Sequence, residues 1–329
     1  MRKIKLGAIQ PAYQYVSERY DCMSPAYVND AAEIVEKYVK TQLDISFGLV
    51  DQAGREGCGI VTTCEDATGI GNFGGDVTEK NIFPLLVELT EPLAETGFSA
   101  LARKHGMYVL ACYYRKTGGS IYNVATLFDR QGRISGEYRK THLPSYEKWQ
   151  VAEGNTLGSI DTDFGKIGVC ICYDIMFPEC IQTVALAGAE VVFHPTVGYG
   201  WYDSIGEATL RTRANDHSVY LVTSKSHLHM AAGKSSIIDP WGQVLVDAGF
   251  YRNVIVTKEV DLDDRKAHPD WHYGARTSGI LEIRERYLHE RRPELYSAIA
   301  AVTHERLGDP GREFQLEMIE LTKAGKIHW

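Results

Sequence analysis

Residues 166–188 read KIGVCICYDIMFPECIQTVALAG, and the period of the apolar positions changes within that stretch. Up to Cys172 the run is β-branched and apolar in the manner of a buried strand. From Pro178, a residue suited to the first turn of a helix, the pattern becomes helical. Cys172 therefore falls in a strand-to-helix turn. Such a turn lifts a side chain out of the sheet and can aim backbone N–H groups at a developing oxyanion. Nearness to a helix start also predicts a thiolate. Cys170, inside the alternating run, reads as a core residue. On residue chemistry alone Cys172 reads equally well as core filler or as nucleophile.

Similar strand-like runs recur outward from this segment: KIKLGAIQ, GIVTTC, MYVLACYY, NVATLFD, EVVFH, VYLVTS, SSIID and VIVTKEV. Helical patterns occupy about 29–54, with Asn29 or Asp30 as N-cap, and about 79–105, stopped by Gly106. DRQG at 129–132, TDFG at 162–165 and DPWG at 239–242 mark tight turns. Strands and helices alternate unevenly, which predicts a layered α/β sandwich with mixed sheets. The expected division is a main domain over 1–280 and a charged, helical C-terminal extension over 281–329 that packs on the body or on a partner subunit.

Composition narrows the function classes. Lys and Arg number 35 against 43 Asp and Glu, a formal charge of −8, which argues against nucleic acid or an anionic membrane as partner. No run of about 18 apolar residues predicts a membrane span, and the first residues read as a strand, so a cytoplasmic protein is expected. Seven cysteines without regular spacing predict reduced thiols. His227-x-His229 lacks zinc-site spacing, so no metal is expected.

A cysteine nucleophile needs a proton acceptor and an oxyanion donor. His142, His194, His227 and His229 are available but read as ordinary polar residues near strand ends. Glu65 ends the apolar run GIVTTCE, and Lys140 ends EYRK beside a Pro-marked loop that carries Glu147. Charges at strand ends are common, so each alone says little.

Taken in order, AIQ at 8–10, Glu65, YRKTHL at 138–143, GVCICYDIMFPE at 168–179, RTRANDHSVYLV at 211–222 and SSIIDPWGQVL at 235–245 resemble the nitrilase, or carbon–nitrogen hydrolase, superfamily. The resemblance implies a four-layer αββα sandwich with mixed β-sheets. It also implies Cys172 as nucleophile, Glu65 as base, Lys140 as oxyanion donor and Glu147 as a second glutamate, with no cofactor and assembly as a homodimer or larger homo-oligomer. Tyr173-Asp174 after the cysteine resembles the amidase and carbamoylase branches, whereas nitrilases tend to carry Trp-Glu. Asp174, Ile175 and Met176 stand where carbamoylases of D-amino acids carry arginines. A linear amide or ureido substrate is thus expected ahead of a nitrile. Expected pocket residues are Tyr173, Tyr146, Trp149, Pro195, Thr196, Tyr199 and Trp201, whose aromatic members suit an apolar or cationic substrate body. Acyl transfer through the same thioester and a non-catalytic scaffold are the competing readings. Two departures stand out: Cys64 replaces the proline usual before the base, and the segment 13–29 exceeds the compact pattern.

Overall fold

Alternate residues of the central strands enter different apolar clusters. In β3 (Tyr108–Thr117), Tyr108, Leu110 and Cys112 face one cluster, while Val109, Ala111 and Tyr113 face another. In β8 (Val191–Thr196), Val191 and Phe193 join the same inner cluster as Leu110, whereas Val192 faces a third. Strands apolar on both faces must be covered on both. Here each sheet is covered by the other on one face and by helices on the other.

The computed structural model describes residues 1–12, 30–73, 81–197, 203–226, 233–264, 282–301 and 310–326. One six-stranded sheet has the order β12 (Val254–Asp261), β1 (Lys3–Gln10), β2 (Ile60–Thr62), β3, β4 (Ser120–Phe128) and β5 (Ile134–Arg139). The second has β11 (Val244–Asp247), β10 (Ser236–Ile238), β9 (Tyr220–Lys225), β8, β7 (Gly165–Val169) and β6 (Ser159–Thr162). Each has a parallel centre, β1–β2–β3 or β7–β8–β9, with antiparallel strands on either side. The mixed sheets and the αββα layering agree with the expectation from sequence.

Ala31–Ile34, a π-helical stretch Val35–Val39 and Lys40–Arg55 run on as one helix, α1. Its N-cap is Asp30, whose carboxylate accepts from the N–H groups of Ala32 and Glu33 at 3.0 and 3.1 Å. Helix α2 (Phe83–His105) ends at Gly106, whose φ of 59° is the left-handed C-cap that glycine adopts without penalty. These two helices cover the first sheet, and α3 (Pro178–Leu186) and α4 (Asp203–His217) cover the second. Toward the C-terminus lie α5 (Ile283–Glu290), α6 (Ser297–Ala300) and α7 (Pro310–Lys323). The segment 13–29 and the expected start of α2 near 79 lie outside the described residues.

Cross-sheet polar contacts set the sheets against each other. Arg2 grips both carboxylate oxygens of Glu190 at 2.8 and 2.9 Å. Gln10 of the AIQ motif, fully buried, donates to Gly249 O and Tyr251 O and accepts from Ser235 N–H at 2.7 Å. Helix α3 approaches β7 so closely that a Cβ on Gly168 would lie 2.8 Å from Val184 Cγ2, 3.0 Å from Val184 Cβ and 3.1 Å from Ala189 Cβ. Backbone-anchored carbons cannot swing aside. Gly168→Ala is therefore expected to destabilise the fold by about 1–3 kcal/mol, read from denaturant unfolding; an unchanged midpoint would refute this close packing.

Candidate active site

The turns that follow β2, β5, β7 and β8 converge at one end of the two sheets, where the carboxyl ends of the parallel strands lie. After β2, Thr63 N–H still bonds Leu110 O and Ala67 N–H bonds Cys112 O, so the chain stays against β3. Between them Asp66 takes φ 51°, a left-handed conformation that short polar side chains tolerate. Its carboxylate accepts from Thr68 Oγ1 and from the N–H groups of Gly69, Ile70 and Gly71. Held this way, Glu65 is turned inward and is only 5% exposed.

Lys140 follows β5 and is 2% exposed. Its Nζ lies 2.8 Å from Glu65 Oε1 and 2.6 Å from Glu147 Oε2. Glu147 sits on the short 3-10 turn Ser145–Trp149 and is also buried. Asn123, on β4, donates its Nδ2 to both carboxylates, at 2.9 Å to Glu65 Oε1 and 2.7 Å to Glu147 Oε1. The remaining oxygen of Glu65 accepts from Val197 N–H at 3.0 Å, just past β8. One ammonium thus joins two carboxylates, and both have neutral donors besides.

Cys172 leaves β7 with φ 45° and opens the 3-10 turn Cys172–Met176, as the strand-to-turn reading anticipates. Its thiol hydrogen-bonds Glu65 and Thr196. Its carbonyl accepts from His194 Nε2 at 3.1 Å. The turn is fastened by Asp174, fully buried. One Asp174 oxygen accepts from Tyr138 OH at 2.7 Å and Ile171 N–H at 2.9 Å; the other meets Thr141 Oγ1, His142 N–H and His142 Nδ1. Through that one carboxylate the cysteine turn is tied to the strand end that carries Lys140.

The charges are arranged unequally. Burial pushes the Glu65 carboxyl up, but the Lys140 ammonium and hydrogen bonds from Lys140, Cys172 and Val197 outweigh it, leaving Glu65 below the ordinary value. For Glu147 burial and the charge of Glu65 prevail over Lys140, and the carboxyl lies above it. Burial alone would lower Lys140; the two carboxylates hold it well above its ordinary value. Burial, then Glu65, push the Cys172 thiol up to about 12 against the pull of Lys140. The thiolate expected from the helix start is thus corrected: the resting pair is a thiol beside a carboxylate. Loss of water around the sulfur outweighs a turn of five residues.

His142, Asp174 and Cys180 place one donor atom each within 4.8 Å of one another, a set that could hold a metal ion. Both Asp174 oxygens are already engaged by protein donors, so the cluster is satisfied as a hydrogen-bond network. His227 and His229 lie outside the described residues. The described cysteines are all free thiols.

Of the expected pocket residues, Thr196 reaches the thiol and Pro195 precedes it in β8. Tyr173, 38% exposed, packs edge-on against Phe177. Trp149 ends the Glu147 turn, with its Nε1 buried and unpartnered. Tyr199, Trp201 and the side chain of Tyr146 lie outside the described residues. Sequence reading missed Asn123, Asp66 and Asp174 as organisers. A polar residue in the midst of the run SIYNVATLF was the one available signal for Asn123. No helix among the described residues is long and apolar enough to cross a membrane.

Comparison with known proteins agrees with this architecture. The family model for carbon–nitrogen hydrolases matches residues 26–270. A nitrilase of Pyrococcus abyssi is 32% identical over 246 residues, covering 72% of this chain and 89% of that protein. The omega-amidase NIT2 of Danio rerio is 30% identical over 236 residues, covering 65% and 80%. In structure, a carbon–nitrogen hydrolase from Helicobacter pylori superimposes with a TM-score of 0.70 at 23% identity, over 92% of this chain and 99% of that one. A mutant of an amidase from Nesterenkonia gives 0.66 at 17% identity, over 90% and 97%, and shows covalent addition of the acetamide moiety of fluoroacetamide at its active-site cysteine. With the family model spanning most of the chain and the same sandwich in solved members, the chain belongs to the carbon–nitrogen hydrolase family.

Proposed function

We propose that the protein hydrolyses the carbon–nitrogen bond of a small linear amide, or of a ureido compound, through a thioester on Cys172. The observation that carries this reading is the Cys172 thiol hydrogen-bonded to a carboxylate, Glu65, that also pairs with the buried Lys140 ammonium. Glu65 takes the thiol proton as sulfur attacks the carbonyl carbon. Lys140 and the Tyr173 N–H stabilise the oxyanion, and ammonia or an amine leaves with that proton. Glu65 then activates water, whose oxygen displaces Cys172 and releases the acid. Glu147 orients Lys140. No step calls for a metal or an organic cofactor. Favouring an amide over a nitrile are Tyr173-Asp174 after the nucleophile and the amidase relatives.

We propose further that 281–329 is an extension of the hydrolase domain and that the chain assembles at least as a homodimer. Supporting the first, Arg284 on α5 donates to the carbonyls of Ala185 and Ala189 at the end of α3, and α7 lies against the turn that carries Glu147. Supporting the second, Leu288, Leu295, Ile299 and Phe314 are each about half exposed or more.

Ammonia release from aliphatic amides, aromatic amides, N-carbamoyl compounds and nitriles is the direct test. Turnover is expected for short amides, abolished in Cys172→Ala and cut at least about 100-fold in a folded Lys140→Ala; full turnover by either variant refutes the assigned role. Because Glu65 lies below its ordinary value, its ionised form is present above that point and lost as pH falls through it. With the thiol at about 12, kcat/KM is expected to stay flat between about pH 6 and 9 and to fall only on the acid side. A step near pH 6.5 would instead assign the base to a histidine. Light scattering is expected to report at least a dimer, and a stable monomer at micromolar concentration rules assembly out.

A further inference from the structure

The peptide joining Cys172 to Tyr173 presents its two polar groups to different neighbours. No peptide bond in the described chain is cis, so this one is trans and planar, and its N–H points opposite to its C=O. The carbonyl end is held: Cys172 O lies 3.1 Å from His194 Nε2. A carbonyl can only accept, so Nε2 carries the proton. His194 is 2% exposed, and burial pushes it down to about 4, so the ring is neutral and Nδ1 is an acceptor. With that tautomer set by the carbonyl, the Thr223 hydroxyl, 3.4 Å away, is the donor to Nδ1. The other end of the peptide, the Tyr173 N–H, belongs to the first residues of the Cys172–Met176 turn, whose N–H groups have no partner within the turn.

Two physical consequences follow for a charge developing beside Cys172. First, Cys172 is an L residue at φ 45°, a conformation adopted against a steric penalty. Rotation of the following peptide, about ψ of Cys172 and φ of Tyr173, leaves that φ unchanged but would turn the carbonyl oxygen toward the place where the Tyr173 N–H now points. An acceptor lone pair would then face a developing negative charge. Second, a hydrogen bond accepted by a peptide oxygen polarises the amide and makes its N–H a better donor.

We propose that His194 is a positioning residue for oxyanion stabilisation: by holding the Cys172 carbonyl it keeps the Tyr173 N–H aimed at the oxygen that gains charge when sulfur adds to the substrate. This rests on the reading of Cys172 as nucleophile. In that step the sulfur–carbon bond forms, the carbonyl π pair moves to oxygen, and the thiol proton passes to Glu65. His194 touches none of these atoms and acts through one peptide plane.

The variants that test it are His194→Phe, which keeps a ring but no donor, His194→Asn, whose amide reaches only as far as Nδ1, and His194→Gln, whose terminal N–H can stand in for Nε2. Two quantities are read: kcat and KM on the best amide of the panel, and affinity for the matching short aldehyde carrying a carbonyl 13C. The aldehyde forms a hemithioacetal with the cysteine without turnover, visible as a shifted carbon resonance. His194→Phe and His194→Asn are expected to lower kcat about tenfold with KM within about twofold, less than loss of a whole oxyanion donor because the N–H is misaimed rather than absent. Aldehyde affinity falls in parallel, and His194→Gln restores most of both. Unchanged kcat and aldehyde affinity in a folded His194→Asn, or a His194→Gln no better than His194→Asn, overturns the inference. If the wild type forms the adduct but releases no ammonia from any amide, the proposed reaction fails while the adduct still tests His194. A wild type that forms no adduct overturns both.

Discussion

A single ammonium group, Lys140 Nζ, organises the functional end of this molecule. Removing a cation from water is costly, and an isolated carboxylate pair at the same depth would be worse. Together the three groups are tolerable, because each carboxylate also accepts from Asn123 and Glu65 takes the Val197 N–H. The arrangement tolerates little displacement. Breaking a buried pair by removing one member typically costs about 3–5 kcal/mol, since the other charge stays behind without compensation. Four segments, following β2, β5 and β8 and including the Glu147 turn, must therefore hold their positions to within hydrogen-bond distance.

What keeps them there is a set of polar organisers one step removed. Asp66 gathers the N–H groups of its own loop and so directs Glu65 inward; Asp174 gathers donors from two loops and so sets the cysteine turn against the Lys140 strand end. The backbone at Asp66 and at Cys172 is left-handed, and such conformations persist when the surroundings over-determine them. Both positions lie at the ends of strands packed in the layered core, so the rigid part of the fold holds the strained part in place.

The same burial explains why the thiol is protonated at rest. A cysteine beside a histidinium has its thiolate stabilised by a cation. Here the immediate neighbour is an anion, and the Lys140 charge reaches Cys172 already divided between two carboxylates. On the proposed mechanism this postpones charge separation until a substrate oxygen is present to share it. The water-poor pocket then strengthens the Lys140 interaction with that oxygen.

Periodicity carried the secondary structure: the alternating run of β7 and the Pro178 start of α3 were legible, and so were the turns at 129–132, 162–165 and 239–242. β6 and β11 escaped notice, being short and at sheet edges, where apolar alternation is weak. Glu65, Lys140 and Cys172 were visible as charges or a thiol at strand ends, and only ordered motifs united them. Asn123 and His194 read as ordinary strand residues, because a side chain in the middle of a strand gives no sign of which loop it will meet. The sequence by itself determined which segments are strands, which face of each is apolar, and which chemically competent residues stand at strand ends. Only the tertiary structure decided that two carboxylates share one lysine, that the thiol is protonated, and that His194 holds the carbonyl of Cys172. Local pattern follows from backbone geometry and burial, whereas hydrogen-bond partners and pKa shifts depend on distances between segments tens to hundreds of residues apart.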